Sequence, residues 1–341
     1  MRSSLLTLLA ASALAQSNDP ALLSDAARQY ALVRQYEEAE RLWNRALEIA
    51  PAYFPALFNM GFMYYTRGQL DKAEPLLDRA AKASPLDFNA RYTLGAALVK
   101  LDRRDDALRH WREALKIDPG HVRLMQIMVV EYSKGRYFQE AAALAKRALG
   151  LRPADPNSYF LAIKAYQDSG DSASALEIAR QAAQKFPQSA RASFEYGFHL
   201  QKLGRVEEAI THLKRAMAAD PKYEEPPFFL GDLLVRQGRH EEAIPFLRVA
   251  IQNRADYVPA RVALARALMG WEKWKEAIAE LEETIRMDPS HPQPHLLLSQ
   301  IYFRLGDEER AAREKTVSLR LRRENPTVLE AVQGRPFPET K

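Results

Sequence analysis

The sequence predicts an all-α fold, an α-α solenoid of about nine helical hairpins, because three phased series of residues run along it. Pro51, Pro85, Pro119, Pro153, Pro187, Pro221 and Pro289 fall on a 34-residue spacing, with Ala255 off the pattern. Ala39, Ala73, Ala107, Ala141, Ala175, Ala209, Ala243, Ala277 and Ala311 keep the same spacing without a lapse. Ala46, Ala80, Ala114, Ala148, Ala182, Ala216 and Ala250 form a further series, interrupted at Thr284. No insertion or deletion separates these series, so each block reads as one structural unit repeated.

Within a unit each residue type has a physical reason. A small residue in the first helix lets the second approach closely, and Gly61, Gly95, Gly197, Gly231, Ala27, Ala265 and Ser299 are expected to face the periodic alanines. Gly68, Gly170, Gly204, Gly238 and Gly306 fall where the first helix must end and turn back. The periodic proline stops the second helix, since it lacks an amide hydrogen and restricts the residue before it. Tyr30, Tyr64, Leu98, Tyr132, Tyr166, Leu200, Leu234, Leu268 and Tyr302 supply bulk for the seams. Units are expected to start near Pro20, Phe54, Phe88, Val122, Pro156, Ala190, Glu224, Val258 and Pro292.

Three departures carry expectations of their own. Val129 and Ile163 stand where a small residue is usual, which predicts splayed fourth and fifth hairpins. Pro226 and Pro227 lie in an expected first turn, which predicts a late helix start. Lys315 replaces a large apolar residue in the last unit, amid Arg310, Arg313, Arg320, Arg322 and Arg323. That pattern reads as a polar terminal cap.

The ends differ from the repeats. Met1-Arg2, the apolar run Leu5–Leu14 and the small-x-small triplet Ala13-Leu14-Ala15 predict a secretory signal over 1–15. The repeat region is expected over 16–325, and the proline-bearing segment 326–341 reads as a flexible tail. The signal would place the mature chain outside the cytosol, periplasmic or secreted, with no membrane span after cleavage.

Composition and motifs argue against catalysis. A net charge of +5 with both signs interspersed gives no concentrated basic face for nucleic acid. Absence of cysteine removes disulfides, thiolate chemistry and cysteine-ligated zinc. Neither a glycine-rich phosphate loop nor a nucleophile elbow is present. His240-Glu241-Glu242 lacks the second histidine of a zinc-protease helix, having Ile244 instead. His291 and His295 are interrupted by Pro292 and Pro294. No catalytic residue, metal ligand or cofactor is expected.

The run Leu94-Gly95, Leu98, Ala107, Trp111, Ala114, Asp118-Pro119 resembles the tetratricopeptide repeat position by position. The resemblance implies a right-handed superhelix whose first helices line a concave groove, with the second, fifth, ninth, twelfth and thirteenth positions of each unit facing it. Those positions place Phe58, Phe62, Tyr65, Tyr92, Phe160, Phe194, Phe198 and Phe228 in the groove, edged by Lys100, Lys134, Lys202 and Arg236. Phe194, Phe198 and Phe228 are expected to cluster as partner anchors. Such a groove suits a protein or peptide segment with spaced apolar and some acidic residues. The lysine and asparagine pair with which some members clamp a chaperone's tail carboxylate is absent from every unit. The expected function is a non-catalytic interaction scaffold of the cell envelope. A structural component of a polysaccharide export complex, or an accessory subunit of an enzyme on another chain, is the alternative.

Overall fold

The computed structural model describes residues 17–324, and within them every regular element is an α-helix. The expected signal at 1–15 and tail at 326–341 lie outside the described residues. Two compact units divide the chain, Met1–Asp171 and Ser172–Lys341.

The first unit holds α1 (Pro20–Leu32), α2 (Tyr36–Ile49), α3 (Phe54–Thr66), α4 (Leu70–Ala83), α5 (Phe88–Lys100), α6 (Arg104–Ile117), α7 (Val122–Lys134), α8 (Phe138–Leu151) and α9 (Pro156–Asp168). The second holds α10 (Ser172–Lys185), α11 (Ala190–Lys202), α12 (Val206–Ala219), α13 (Glu225–Arg236), α14 (His240–Asn253), α15 (Val258–Gly270), α16 (Trp274–Met287), α17 (Pro292–Arg304) and α18 (Glu308–Glu324). In each unit successive helices pair as antiparallel hairpins, and each second helix packs on the first helix of the next hairpin. First helices also touch one another (α1 with α3 and α3 with α5; α11 with α13 and α13 with α15), to a degree that second helices do not. The first helices therefore form the inner side of each stack.

Local chemistry sets the helix starts. Asp19, Asp87, Asp155 and Ser189 cap first helices by accepting a backbone N–H, and Pro20, Pro156 and Pro292 occupy first turns where a missing amide costs nothing. His121 and His291 do the same through Nδ1, accepting from Leu124 N at 3.0 Å and from Gln293 N at 3.3 Å. Second helices instead place carboxylates in the first turn, such as Glu37-Glu38 and Glu207-Glu208, against the positive end of the helix dipole. With Pro226 and Pro227 in its first turn, α13 starts at Glu225 and is 12 residues long, one fewer than the other first helices.

The turn inside every described hairpin passes through one left-handed residue. Glycine fills it at 68, 170, 204, 238 and 306, with φ from 72 to 80°. Arg34, Asp102, Arg136 and Glu272 hold the equivalent place at φ 57 to 64°, where a Cβ crowds the carbonyl. Arg136→Gly should therefore raise stability by about 1 kcal/mol, read as a higher urea midpoint at unchanged slope. No change in midpoint would show that the loop relaxes around the side chain.

The hairpin seam differs from expectation in its partner. A Cβ on Gly61 would lie 2.9 Å from Leu77 Cγ, one on Gly95 2.3 Å from Trp111 Nε1, and one on Gly231 2.5 Å from Leu247 Cγ. At these three positions the small residue thus makes room for a large side chain of the second helix. At Gly197 both Leu213 and the carbonyl of Ala209 stand close. The fourth hairpin reverses the sizes. Val129 comes from the first helix, the matching position of the second is Ala145, and each is 1% exposed. Bulk has changed sides, so the splaying expected there has no cause. In the ninth hairpin, where Lys315 supplies no apolar bulk, polar ties join α17 to α18. Ser299 donates to Ala311 O at 2.8 Å, Ser318 donates to Pro292 O at 2.8 Å, and His295 Nδ1 meets Glu314 at 2.6 Å.

Neighbouring hairpins are also tied across the proline series. Arg79 donates to Pro51 O at 2.7 Å, Arg147 to Pro119 O at 2.5 Å, and Arg215 to Pro187 O at 2.9 Å. Each of these carbonyls lies in the turn beyond the second helix, outside its hydrogen-bond ladder, and the arginine of the following hairpin donates to it.

Candidate interaction groove

In the first unit the inner side carries a ladder of rings along α3. Centroids lie 5.8 Å apart for Phe54 and Phe58, 6.0 Å for Phe58 and Phe62, and 6.5 Å for Phe62 and Tyr65. The fifth, ninth and twelfth positions share a side of a 3.6-residue helix, which is why these rings meet. Phe62 keeps 45% of its surface in solvent. Lys100, at the end of α5, puts its ammonium 4.3 Å above the Tyr65 ring, a cation–π contact that keeps the charge on the groove edge. Tyr92 stacks on Phe88 at 5.7 Å, and the His121 ring closes against Phe88 at 4.5 Å.

The remaining predicted residues of this unit lie elsewhere or are engaged. Phe160 is buried at 7% exposure, so it is not a freely exposed anchor. Lys134 is held at 2.8 Å by Glu131 of its own helix, and Arg104 reaches the same carboxylate at 3.2 Å. Lys134 is therefore half of a local pair, and the edge there is less basic than the sequence suggests.

The second unit gathers the predicted phenylalanines but closes over them. Phe194 and Phe228 are each 8% exposed, so they form a floor rather than free anchors. The reason is Phe229, which the sequence reading missed. Its ring lies 5.3 Å from Phe194, 5.2 Å from Phe198 and 5.0 Å from Phe228. Tyr223 abuts Phe194 at 5.4 Å, and Tyr257 abuts Phe228 at 5.0 Å. Phe198 remains half-buried, with Lys202 Nζ 4.5 Å over its ring. Arg236 is paired with Asp232, four residues earlier on α13.

Burial sets the proton affinities here. Burial raises the Tyr223 hydroxyl far above its usual range, helped by Glu225, and burial pushes the Glu225 carboxyl up, helped by Glu224. Lys202 is pulled down by burial. His199, on the buried side of α11, is pushed down to about 4 by burial and then by Lys202, and its Nε2 has no hydrogen-bond partner.

Polar clusters elsewhere are internally paired. Around the cleft lined by Asp102, Arg104 and Tyr137, Arg103 bonds Glu74 and Asp106, Arg104 bonds Glu131, and the Tyr137 hydroxyl donates to Asp105. His291 caps a helix while His295 meets Glu314, which gives the two histidines separate structural partners. Among the described residues no group of three or more His, Asp or Glu is placed to hold a metal ion, and no helix is long and apolar enough to cross a membrane.

Stacked hairpins with close-packed seams and an aromatic inner side define a tetratricopeptide-repeat protein. Family models bear this out: those described as tetratricopeptide repeat match residues 30–98, 200–249 and 234–283, residues 262–315, and residues 88–121. A model described as anaphase-promoting complex, cyclosome, subunit 3 matches residues 134–216. The chain is similar in structure to PilW, a type IV pilus biogenesis factor, at 23% identity and a TM-score of 0.53, covering 62% of this chain and 98% of PilW. It is also similar to PilF of Pseudomonas aeruginosa, at 18% identity and a TM-score of 0.51, covering 63% of this chain and 97% of that one. MamA of Desulfovibrio magneticus RS-1 aligns at 20% identity and a TM-score of 0.46, over 50% of this chain and 96% of MamA. These likenesses are likenesses of fold. No curated protein matches the sequence.

Proposed function

We propose that the chain is a non-catalytic scaffold of the cell envelope that holds an extended segment of a partner protein against its first helices. The observation that carries this reading is the inner side of the first unit. There a ring ladder runs from Phe54 to Tyr65 and leaves Phe62 exposed. Rigid rings offer large contact area at little entropic cost, which favours binding. Export is supported by the charged, apolar and small-residue pattern of Met1–Ala15.

Site-specific photo-crosslinking in the native host tests the reading. A benzophenone side chain at Phe62 should give a discrete protein adduct, and one at the exposed Lys116 on α6 should not. Equal or absent adducts at the two positions would remove the groove from the function. Protease accessibility after osmotic shock checks export on the same strain, and a protected chain would place it in the cytosol.

A further inference from the structure

Among the described residues no hairpin precedes α1 and none follows α18, so each end helix shows a face that a neighbour covers in the interior. Leu22 of α1 is 55% exposed, whereas the residue at the same place in every other first helix is buried, from Ala56 to Pro294. The cover that Leu22 lacks is that of a preceding second helix. Val33, 67% exposed, lies on the same stripe of α1 three turns along, with Ala26 and Gln29 between them. At the other end Leu319 of α18 is 46% exposed, and its counterparts in every other second helix, from Leu47 to Ile285, are buried or half-buried. Ala312 and Thr316 lie exposed on the same side of α18. A terminal repeat ordinarily turns a polar face outward, and here both ends keep apolar residues on it.

We propose that these two faces receive each other in a second copy of the chain, so that α1 of one copy packs on α18 of the next and the stack continues head to tail. The interior junctions supply the register. They run antiparallel: the start of α2 meets the end of α3, where the Arg67 guanidinium lies 4.4 Å over the Tyr36 ring, and Ala183 near the end of α10 lines one cleft with Tyr196 of α11. Carried across to two copies, that register sets Leu319 beside Leu22, closing the bare apolar spot at each end. Charge follows the same register. From Ala312 onward the outer side of α18 carries Lys315 and Arg323 and no carboxylate, and the outer stripe of α1 carries Asp25 and no cation. Lys315 falls opposite Asp25, Arg323 opposite Asp19, and Glu308 in the first turn of α18 opposite Arg34, which favours this pairing over a shifted one. Pairing α1 with α1 instead would leave Leu319 bare. The contact joins two unlike surfaces, so it adds copies in one direction.

Sedimentation velocity of the full chain, purified from its native host, tests the assignment between about 1 and 100 μM. The parent should sediment faster as its concentration rises, and added salt should oppose the rise. L22R and L319R should each stay monomeric, because each blocks one of the two surfaces. Mixed in equal amounts they should form a discrete dimer and nothing larger, since the intact α18 of L22R can receive the intact α1 of L319R. K116E, altered on an exposed side chain away from both faces, should associate as the parent does. Leu22 and Leu319 are exposed, and circular dichroism with the thermal midpoint checks that their variants are folded. A parent that stays monomeric over the whole range, a mixture that forms no dimer, or association lost in L22R and kept in L319R would overturn the assignment. The last result would mean that α1 pairs with α1. None of these outcomes bears on the groove, which the crosslinking experiment decides.

Discussion

Gly95→Val should lower the unfolding free energy by about 3 kcal/mol, the upper end for forcing extra bulk into a packed seam. Helix propensity works the other way, since valine is better tolerated than glycine inside a helix by about 0.5 kcal/mol, so the sign of the result isolates the seam. The cause is the Trp111 indole. Its Nε1 would lie 2.3 Å from the new Cβ, and it now donates to Tyr92 O at 2.9 Å. Trp111→Ala alone should cost about 3 to 5 kcal/mol by opening a cavity. Combined, Gly95→Val and Trp111→Ala recreate the size exchange of Val129 with Ala145, and the double variant should be less destabilised than the sum by about 2 kcal/mol. Urea unfolding of the four proteins gives the coupling. Strict additivity would show that the two positions do not share one volume.

Acid should loosen the second unit through His199. Its side chain is 2% exposed and its folded-state pKa lies at about 4, below the ordinary value of 6.5. The folded state therefore binds fewer protons than the unfolded state between those values, and stability falls as pH drops through that window. The loss is about 2 kcal/mol by pH 5 and approaches about 3 kcal/mol below pH 4. His199→Leu should be more stable than the parent at pH 5 and should show a shallower dependence of unfolding free energy on pH. His110, His212 and His291 are likewise lowered by burial and act in the same direction, while the raised Glu225 acts against them. The informative quantity is thus the difference between parent and variant across pH. A parallel pair of curves would mean that His199 gains a proton without cost.

Much of the fold was legible because the repeat encodes it redundantly. Proline, left-handed glycine and cap residues each mark a helix end by a local mechanism, so the described helices could be placed without tertiary knowledge. The late start of α13 followed from Pro226 and Pro227 for the same reason. Seam packing was less legible. The small first-helix residue was assigned to the periodic alanine, which Gly197 does meet at Ala209, whereas the leucine or tryptophan nearest to Gly61, Gly95 and Gly231 emerged only from the approach distances. Once that register is known, Val129 opposite Ala145 can be read as compensation. The groove was legible as positions and illegible as exposure. Nothing in the spacing of Phe194, Phe198 and Phe228 shows that Phe229, one residue outside the expected groove positions, closes over them. Nor does a thirteenth-position lysine announce that Glu131, three residues earlier, will neutralise it.

The exchange of bulk across the seam is settled inside each hairpin, and this bears on how such a chain changes length over generations. A duplicated or deleted hairpin brings or removes both halves of its own volume, leaving the seams of the others as they were. The arginine ties to Pro51, Pro119 and Pro187 behave differently, because donor and acceptor come from adjacent hairpins. Loss of one hairpin hands such an exposed carbonyl of its neighbour to water. Inheritance of whole hairpins is therefore mechanically cheap within the seam, and it is restrained at the junctions where each second helix packs on the first helix of the next hairpin.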